Sequence, residues 1–135
     1  MEKNAVGILL TDSLYYELKP LRNSRQICSV MKAQQYALVF PERLYSVFHL
    51  NRFPSVVYPS DTVGLLIHSK DIEQPVYNPY ASLFMMEKVY GSVMFVGVYM
   101  LNNRQIICGL SKQAQQAVIS VLNSIKTQGI DDFMY

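Results

Sequence analysis

The feature that most constrains the fold is a pair of apolar segments, residues 91–101 and 104–110, separated only by Asn102 and Asn103. Asparagine tolerates the positive φ that both central residues of a type I′ turn adopt, so this spacing predicts a β-hairpin with a two-residue loop. In the first arm, both alternating sets of side chains are apolar. A strand that is apolar on both faces is packed on both faces. The sequence therefore predicts that residues 91–101 form the central strand of a sheet between two covering layers.

Shorter apolar runs bounded by turn residues indicate further strands. Their branched and aromatic content is typical of buried strands, and they occupy residues 5–10, 14–18, 36–40 and 62–68. Two stretches stay open at this stage. Residues 24–50 contain both helical and alternating spacings, and residues 53–61, with two prolines, fit either an edge strand or an ordered loop.

Two helix starts carry recognisable cap chemistry. Asn78 can accept a bond from an amide of the first helical turn, and Pro79 has no amide to leave unsatisfied. These residues predict a short helix over residues 79–88 and need no binding role. Ser111 likewise predicts a C-terminal helix over residues 111–128. The predicted buried stripe of that helix has three-four spacing and comprises Ala114, Ala117, Val118, Val121, Leu122 and Ile125.

These elements together predict an α+β fold. We expect a mostly antiparallel sheet with the central hairpin 91–110, packed by the C-terminal helix 111–128 and the short helix 79–88. The 135 residues fit a single domain, residues 1–135. Only 16% of the residues are charged, against about 25% in an average soluble domain. So low a charge content predicts an apolar surface covered by another chain, and we expect a homo-oligomer.

Charge and cysteine content narrow the classes of function. A net charge of +2 is too small for the field of an obligate nucleic-acid binder. No apolar run reaches the roughly 18 residues that span a bilayer, and the N-terminal residues lack a secretory cleavage pattern, so we expect a cytoplasmic protein without membrane contact. Cys28 and Cys108 lie far apart in the sequence, and we interpret both as reduced, buried residues.

Catalytic and metal-binding patterns are weak. No glycine-rich phosphate loop is present, and His49 and His68 have no partner at metal-ligand spacing. Cys28 with one of these histidines is an alternative as nucleophile and base, but most sequences contain such residues by chance. Asp71 and Glu73 are more simply explained as a polar turn. We therefore expect a non-enzymatic protein with no catalytic residues, no metal and no cofactor.

Two groups of residues are candidate binding sites. The chain has ten tyrosines, which are enriched at protein interfaces, and the predicted C-terminal helix has an uncharged polar outer face. The predicted residues for binding a protein partner or a second copy are Tyr77, Tyr80, Tyr90, Gln113, Gln116 and Asn123. The alternative is a protein that binds and sequesters a nucleotide or nucleic acid through cations interleaved with aromatic rings. Its predicted residues are Arg22, Arg25, Lys32, Tyr36, Arg43 and Arg52.

Residues 77–118 also contain a series of short motifs. They are Asn78 with Ala81, the sequence Y-G-S-V-M-F-V-G at residues 90–97, and Gly-Leu-Ser at residues 109–111. In these motifs the segment resembles a family of small uncharacterised proteins of bacteria, phages and mobile elements. Members of that family have an N-x-x-A helix start, a Y-G-x-V-x-F-V-G strand and a G-L-[ST] step into a closing helix. The resemblance implies an accessory protein of phage or mobile-element origin, without an established activity.

Overall fold

The computed structural model describes residues 5–69 and 76–129. Within these ranges the chain forms six strands and four helices, in an α+β arrangement that confirms the predicted fold class. In chain order the elements are β1 (Val6–Leu10), β2 (Tyr16–Pro20), α1 (Ser24–Met31), β3 (Tyr36–Val39), α2 (Glu42–Ser46), β4 (Val63–His68), α3 (Pro79–Met85), β5 (Val93–Leu101), β6 (Arg104–Cys108) and α4 (Lys112–Gln128).

The strands form one antiparallel sheet in the order β2-β1-β5-β4-β3, with β6 paired to β5 outside this path. Phe95 of β5 lies opposite Ile8 of β1 and also opposite Leu65 of β4, so β1 and β4 flank opposite edges of β5. β6 pairs with the second half of β5, on the edge that does not pair with β4. It therefore continues along the edge that β1 occupies. Leu110 N donates to Val6 O at 2.9 Å and joins the two strands end to end. β5 is thus the central strand, as predicted.

The turn of the β5–β6 hairpin has the predicted conformation. Asn102 has a φ of 51° and Asn103 a φ of 64°. Both values lie in the left-handed region that asparagine tolerates better than most residues, which matches the two central positions of a type I′ turn.

Both faces of β5 are covered. Phe95 lies in a core cluster with residues of α2, α3 and α4, including Phe84, whose ring meets it edge-on at 5.6 Å. The opposite face carries Met94, Val96 and Val98, which are 0%, 0% and 3% exposed. The prediction that water is excluded from both flanks of this strand is confirmed for residues 93–98, whereas Leu101 at its end is exposed.

The helices that cover the two faces differ from those expected. Both predicted covering helices, now α3 and α4, pack on the Phe95 face. The Met94 face is covered by α1, through Ile27 and Met31. α1 belongs to the stretch 24–50, whose helix-or-strand character the sequence left open. Asn23 begins this helix, and its Oδ1 accepts from Gln26 N at 2.9 Å.

Other boundaries shift for local reasons. α3 ends at Met85 because Met86 adopts a left-handed φ of 57°, so the helix is shorter than the predicted 79–88. α4 agrees with the predicted 111–128, and Ser111 Oγ accepts from Ala114 N at 3.0 Å. Ala117 is exposed although it was placed in the buried stripe. Residues 53–59 form a loop, the second of the two alternatives for that stretch.

Candidate binding surfaces

The residues at the start of α3 are structural. Asn78 is buried; its Oδ1 accepts from Ala81 N at 3.0 Å and its Nδ2 donates to Gly91 O at 2.9 Å. Ser82 Oγ donates to Asn78 O at 2.8 Å and accepts from Val89 N at 2.9 Å. These bonds attach the helix start to the chain that enters β5. Asn78 and Ser82 therefore use their polar atoms internally.

Two of the three predicted tyrosines near α3 lie together at the surface. Tyr77 and Tyr90 form an isolated antiparallel bridge, and their rings meet edge-on with centroids 5.8 Å apart. Both rings are nearly half exposed, and the exposed Val76 and Met86 are close in sequence to them. We call Val76, Tyr77, Met86 and Tyr90 the tyrosine patch. Tyr80 packs partly buried against the core and contributes less surface.

The tyrosine patch borders a cleft of about 470 Å³. Tyr77 and Met86 line it, together with the charged residues Arg43, Glu87 and Lys88. Arg43 belongs to the predicted nucleotide-binding set, but in the structure it lines the cleft beside the tyrosine patch.

The predicted residues of α4 lie on its outer face. Gln113, Gln116 and Asn123 are exposed, and Asn123 Oδ1 accepts from Tyr16 OH at 3.1 Å. Gln116 and Asn123 line a shallow groove of about 470 Å³ together with Ile119, Ser120 and further polar residues of α4. This face has no charged lining, in agreement with the sequence pattern.

The basic stretch is divided between the two faces of the sheet. Arg22, Arg25 and Lys32 are exposed at or beside α1, on the Met94 face. Arg52 lies on the opposite side, where its guanidinium stands 5.0 Å from the Tyr45 ring centroid. The same guanidinium bonds the Glu42 carboxylate at 2.8 Å. The six predicted nucleotide-binding residues therefore do not form one continuous surface.

Two members of that group, Arg22 and Tyr36, do line a common cleft, which we call the α1 cleft. Its volume is about 450 Å³. The hydroxyl groups of Ser24 and Tyr36 are bonded at 2.9 Å, and the rings of Tyr58 and Tyr99 pack with centroids 5.1 Å apart. The complete lining consists of Ala5, Leu21, Arg22, Asn23, Ser24, Ile27, Tyr36, Tyr58, Tyr99, Ile107 and Cys108.

The sequence analysis missed the most exposed apolar surface. Phe53, Val56, Val57 and Tyr58 are each more than half exposed, and Phe53 and Val56 reach 77% and 79%. We call these four residues the apolar loop. Met100 N donates to Ser55 O at 2.7 Å, which holds the loop beside the end of β5, where Leu101 is also exposed. The sequence signal for this surface was a set of four large apolar residues in a segment that contains two prolines.

Tyr45 and His68 are titratable side chains whose pKa values are shifted by burial. Tyr45 OH donates to Val63 O at 2.7 Å, and burial, opposed by the nearby Arg52, raises the pKa of Tyr45 to about 12. Both ring nitrogens of His68 are buried, and burial lowers the pKa of this side chain against the opposing effect of the backbone at Met31 and Ser92. Neutral forms of both side chains are therefore favoured in the folded protein.

The described residues offer neither a grouped set of metal ligands nor a helix that could span a membrane. In the two described ranges, no three side chains of His, Cys, Asp or Glu are grouped so that they could bind a metal ion. None of the helices found there combines the length and the apolar character needed to span a bilayer. Asp71 and Glu73, considered above as a polar turn, lie outside the described residues.

Comparison with known protein families, with curated proteins and with solved structures found no match to this chain. The described residues have the geometry of an α+β protein, in which an antiparallel sheet is covered by three helices on one face and one on the other. Its candidate surfaces are the apolar loop, the tyrosine patch, the outer face of α4 and the α1 cleft.

Proposed function

We propose that this protein is a non-catalytic binding protein that acts through protein–protein contacts, first with a second copy of itself. The observation that supports this is the apolar loop, where Phe53 and Val56 expose more than three quarters of their side-chain surface. Large apolar side chains exposed side by side are typical of surfaces that another protein covers. Ser55 and Met100 hold the loop against the sheet, so the contact surface is preorganised and loses little entropy on binding.

The tyrosine patch supplies a second contact surface in the same proposal. Tyr77 and Tyr90 present rigid rings with polar tips, which is the side-chain chemistry enriched in interface cores. The outer face of α4, with Gln113, Gln116 and Asn123, lies on the same side of the sheet and presents uncharged hydrogen-bonding groups as a further contact surface. The resemblance of residues 77–118 to phage and mobile-element proteins supports an accessory role. We place that role in the cytoplasm, in keeping with Cys28 and Cys108, which form no disulfide.

The test measures mass and partner capture with matched variants. Light scattering on the full chain should give a mass above the 15.5 kDa of one copy, and the double variant Phe53→Ser with Val56→Ser should return it to that of one copy. The control, Gln34→Ser with Gln35→Ser, changes two exposed polar residues between α1 and β3 that line none of the candidate surfaces and should leave the mass unchanged.

The outcomes separate self-association from other contacts. If the wild-type protein is a monomer, cross-linking in a native lysate should recover a protein that the double variant fails to recover. Equal recovery by both proteins, or binding to lipid vesicles in place of protein, would contradict a protein-binding role for the apolar loop. Tyr77→Ser with Tyr90→Ser measures the contribution of the tyrosine patch separately.

A further inference from the structure

The α1 cleft has the dimensions and base of a small-molecule site. Phe53 and Val56 do not line it, but it shares Tyr58 with the apolar loop. Its volume of about 450 Å³ lies within the range of about 300–1,000 Å³ that ligand pockets occupy. Leu21, Ile27 and Cys108 line it and are buried, which gives the cleft an apolar base. Such a base favours a ligand with an apolar or aromatic body.

The walls are aromatic. Tyr36, Tyr58 and Tyr99 come from three separate parts of the chain and meet at this cleft. Planar rings such as nucleobases stack on tyrosine with little dependence on their identity, because each ring has a π-face. The three tyrosines therefore favour a planar ring in the body of the ligand.

The remaining hydrogen-bonding capacity of the rim is mostly that of donors. The guanidinium of Arg22 has donors only, and Asn23 uses its Oδ1 to accept from Gln26 N at 2.9 Å, which leaves its amide hydrogens. Ser24 and Tyr36 share one hydrogen bond of 2.9 Å. That bond uses one of their two hydroxyl hydrogens, so the other is left to donate. A rim of this kind suits an anionic group.

The charge of the residues that line the cleft also favours an anionic group. Arg22 is its only charged lining residue, since no Asp, Glu or Lys lines it. The ion pairs found in residues 5–69 and 76–129, Lys19 with Glu17 and Arg52 with Glu42, do not include Arg22. The guanidinium of Arg22 is therefore available to a ligand.

We propose that the α1 cleft binds a small anion that carries a planar ring, with the chemistry of a nucleoside monophosphate. The ring packs against the tyrosines and the anionic group bonds Arg22. A single-stranded nucleic acid is less favoured, because Arg43 and Arg52 of the same basic stretch lie with α2 on the opposite face. Arg22 and Tyr36 remain from the predicted nucleotide-binding set, and Tyr58 and Tyr99 join them.

The experiment is an NMR titration of the full chain with adenosine monophosphate. Amide signals of residues 21–24, Tyr99 and Ile107 should shift and saturate in the millimolar range or below. Adenosine, inorganic phosphate and an aromatic carboxylate such as phenylacetate are titrated in parallel. Adenosine measures the ring contribution, phosphate measures the anion contribution, and phenylacetate shows whether the rim distinguishes a phosphate from a carboxylate.

Variants assign the contacts. Arg22→Gln should weaken the binding of adenosine monophosphate about tenfold or more, because a hydrogen bond to a charged group is lost. The binding of adenosine should stay unchanged. Arg25→Gln is the matched control, since Arg25 is exposed on α1 but does not line the cleft. Tyr36→Phe keeps the ring and removes the hydroxyl, and should weaken the binding of the three anions while leaving that of adenosine unchanged. Phe53→Ser with Val56→Ser should bind as the wild type does, which separates this site from the proposed protein contact.

Three results would overturn the proposal. One is the absence of a saturable shift with both adenosine monophosphate and phenylacetate. Another is an equal loss of affinity in Arg22→Gln and Arg25→Gln. The third is binding of a single-stranded oligonucleotide without binding of the mononucleotide, which would assign the surface to nucleic acid.

Discussion

At the scale of single residues, Asn23 and Asn78 show how the same side chain can have different importance. Both begin a helix, and the Oδ1 atom of each accepts an amide bond at about 3 Å, from Gln26 N in one case and from Ala81 N in the other. Asn23 is exposed, whereas Asn78 is buried and its Nδ2 also reaches Gly91 O. The buried residue therefore stabilises the tertiary structure as well as its own helix.

We expect Asn78→Ala to lower the free energy of unfolding by about 2–3 kcal/mol, since it removes a helix cap and a buried hydrogen bond. Asn23→Ala should cost only about 1 kcal/mol, the usual effect of a lost cap. Chemical denaturation of both variants measures the difference. Equal losses would show that the bonds of the Asn78 amide group add nothing to the cap.

His68 predicts a pH dependence of stability. Its pKa is lowered by burial, whereas in the unfolded chain histidine titrates near about 6.5. As the pH falls below that value, the unfolded state binds the proton first, so stability decreases until the pH reaches the folded-state pKa. His68→Leu should remove this part of the loss, which begins as the pH falls through about 6.5. Thermal melts of the wild type and of His68→Leu across this pH range measure the difference, and an unchanged slope in His68→Leu would contradict the prediction.

At the scale of elements, α1 is a covering layer that the sequence pattern did not reveal. It is only eight residues long, and Ile27 and Met31 are its two buried side chains on the Met94 face. An eight-residue helix has little more than two turns, so its apolar periodicity is too short to exclude a strand. Packing on β5 decides its conformation and its place.

Met31→Ala tests this layer. Met31 is fully buried, so truncation should cost about 2–4 kcal/mol through lost packing and a residual cavity. Ser29→Ala, at an exposed position of the same helix, should change stability by less than about 0.5 kcal/mol. Denaturant unfolding measures both variants. A small effect of Met31→Ala would mean that the Met94 face does not depend on α1.

At the scale of the whole molecule, the two apolar surfaces lie at opposite ends of the central strand. The tyrosine patch includes Tyr90, just before β5, and the apolar loop lies beside Leu101, its last residue. A strand of this length separates its ends by about 30 Å. The two surfaces are therefore far enough apart to contact different neighbours at once, in keeping with the proposed binding role.

Salt concentration should affect the proposed protein contact and the proposed anion site differently. A complex formed through Phe53 and Val56 should keep its mass between about 0.1 M and about 1 M salt, where the Debye length falls from about 10 Å to about 3 Å. Binding of an anion to Arg22 should weaken over the same range. Light scattering and the NMR titration repeated at both salt concentrations measure the two effects. Dissociation of the protein complex at high salt would point to charged contacts in place of apolar ones.

Part of this architecture was predictable from particular residues. The Asn102–Asn103 turn, the doubly apolar arm of β5 and the caps at Asn78 and Ser111 depend on local backbone preferences and on periodicity. The candidate site was less accessible. Arg22 and Tyr36 were selected for their chemistry, but Tyr58 and Tyr99 join them only because the sheet and the loop at residues 53–59 bring distant parts of the chain together.

Local sequence was sufficient for the hairpin, the α+β class and the C-terminal helix, because turn geometry, capping and side-chain periodicity act within a few residues. Tertiary structure alone decided that α1 covers the Met94 face, that the basic stretch is split by the sheet, and that Phe53 and Val56 face solvent. These properties depend on which distant surfaces meet, and burial is a property of the packed molecule that a run of residues does not specify.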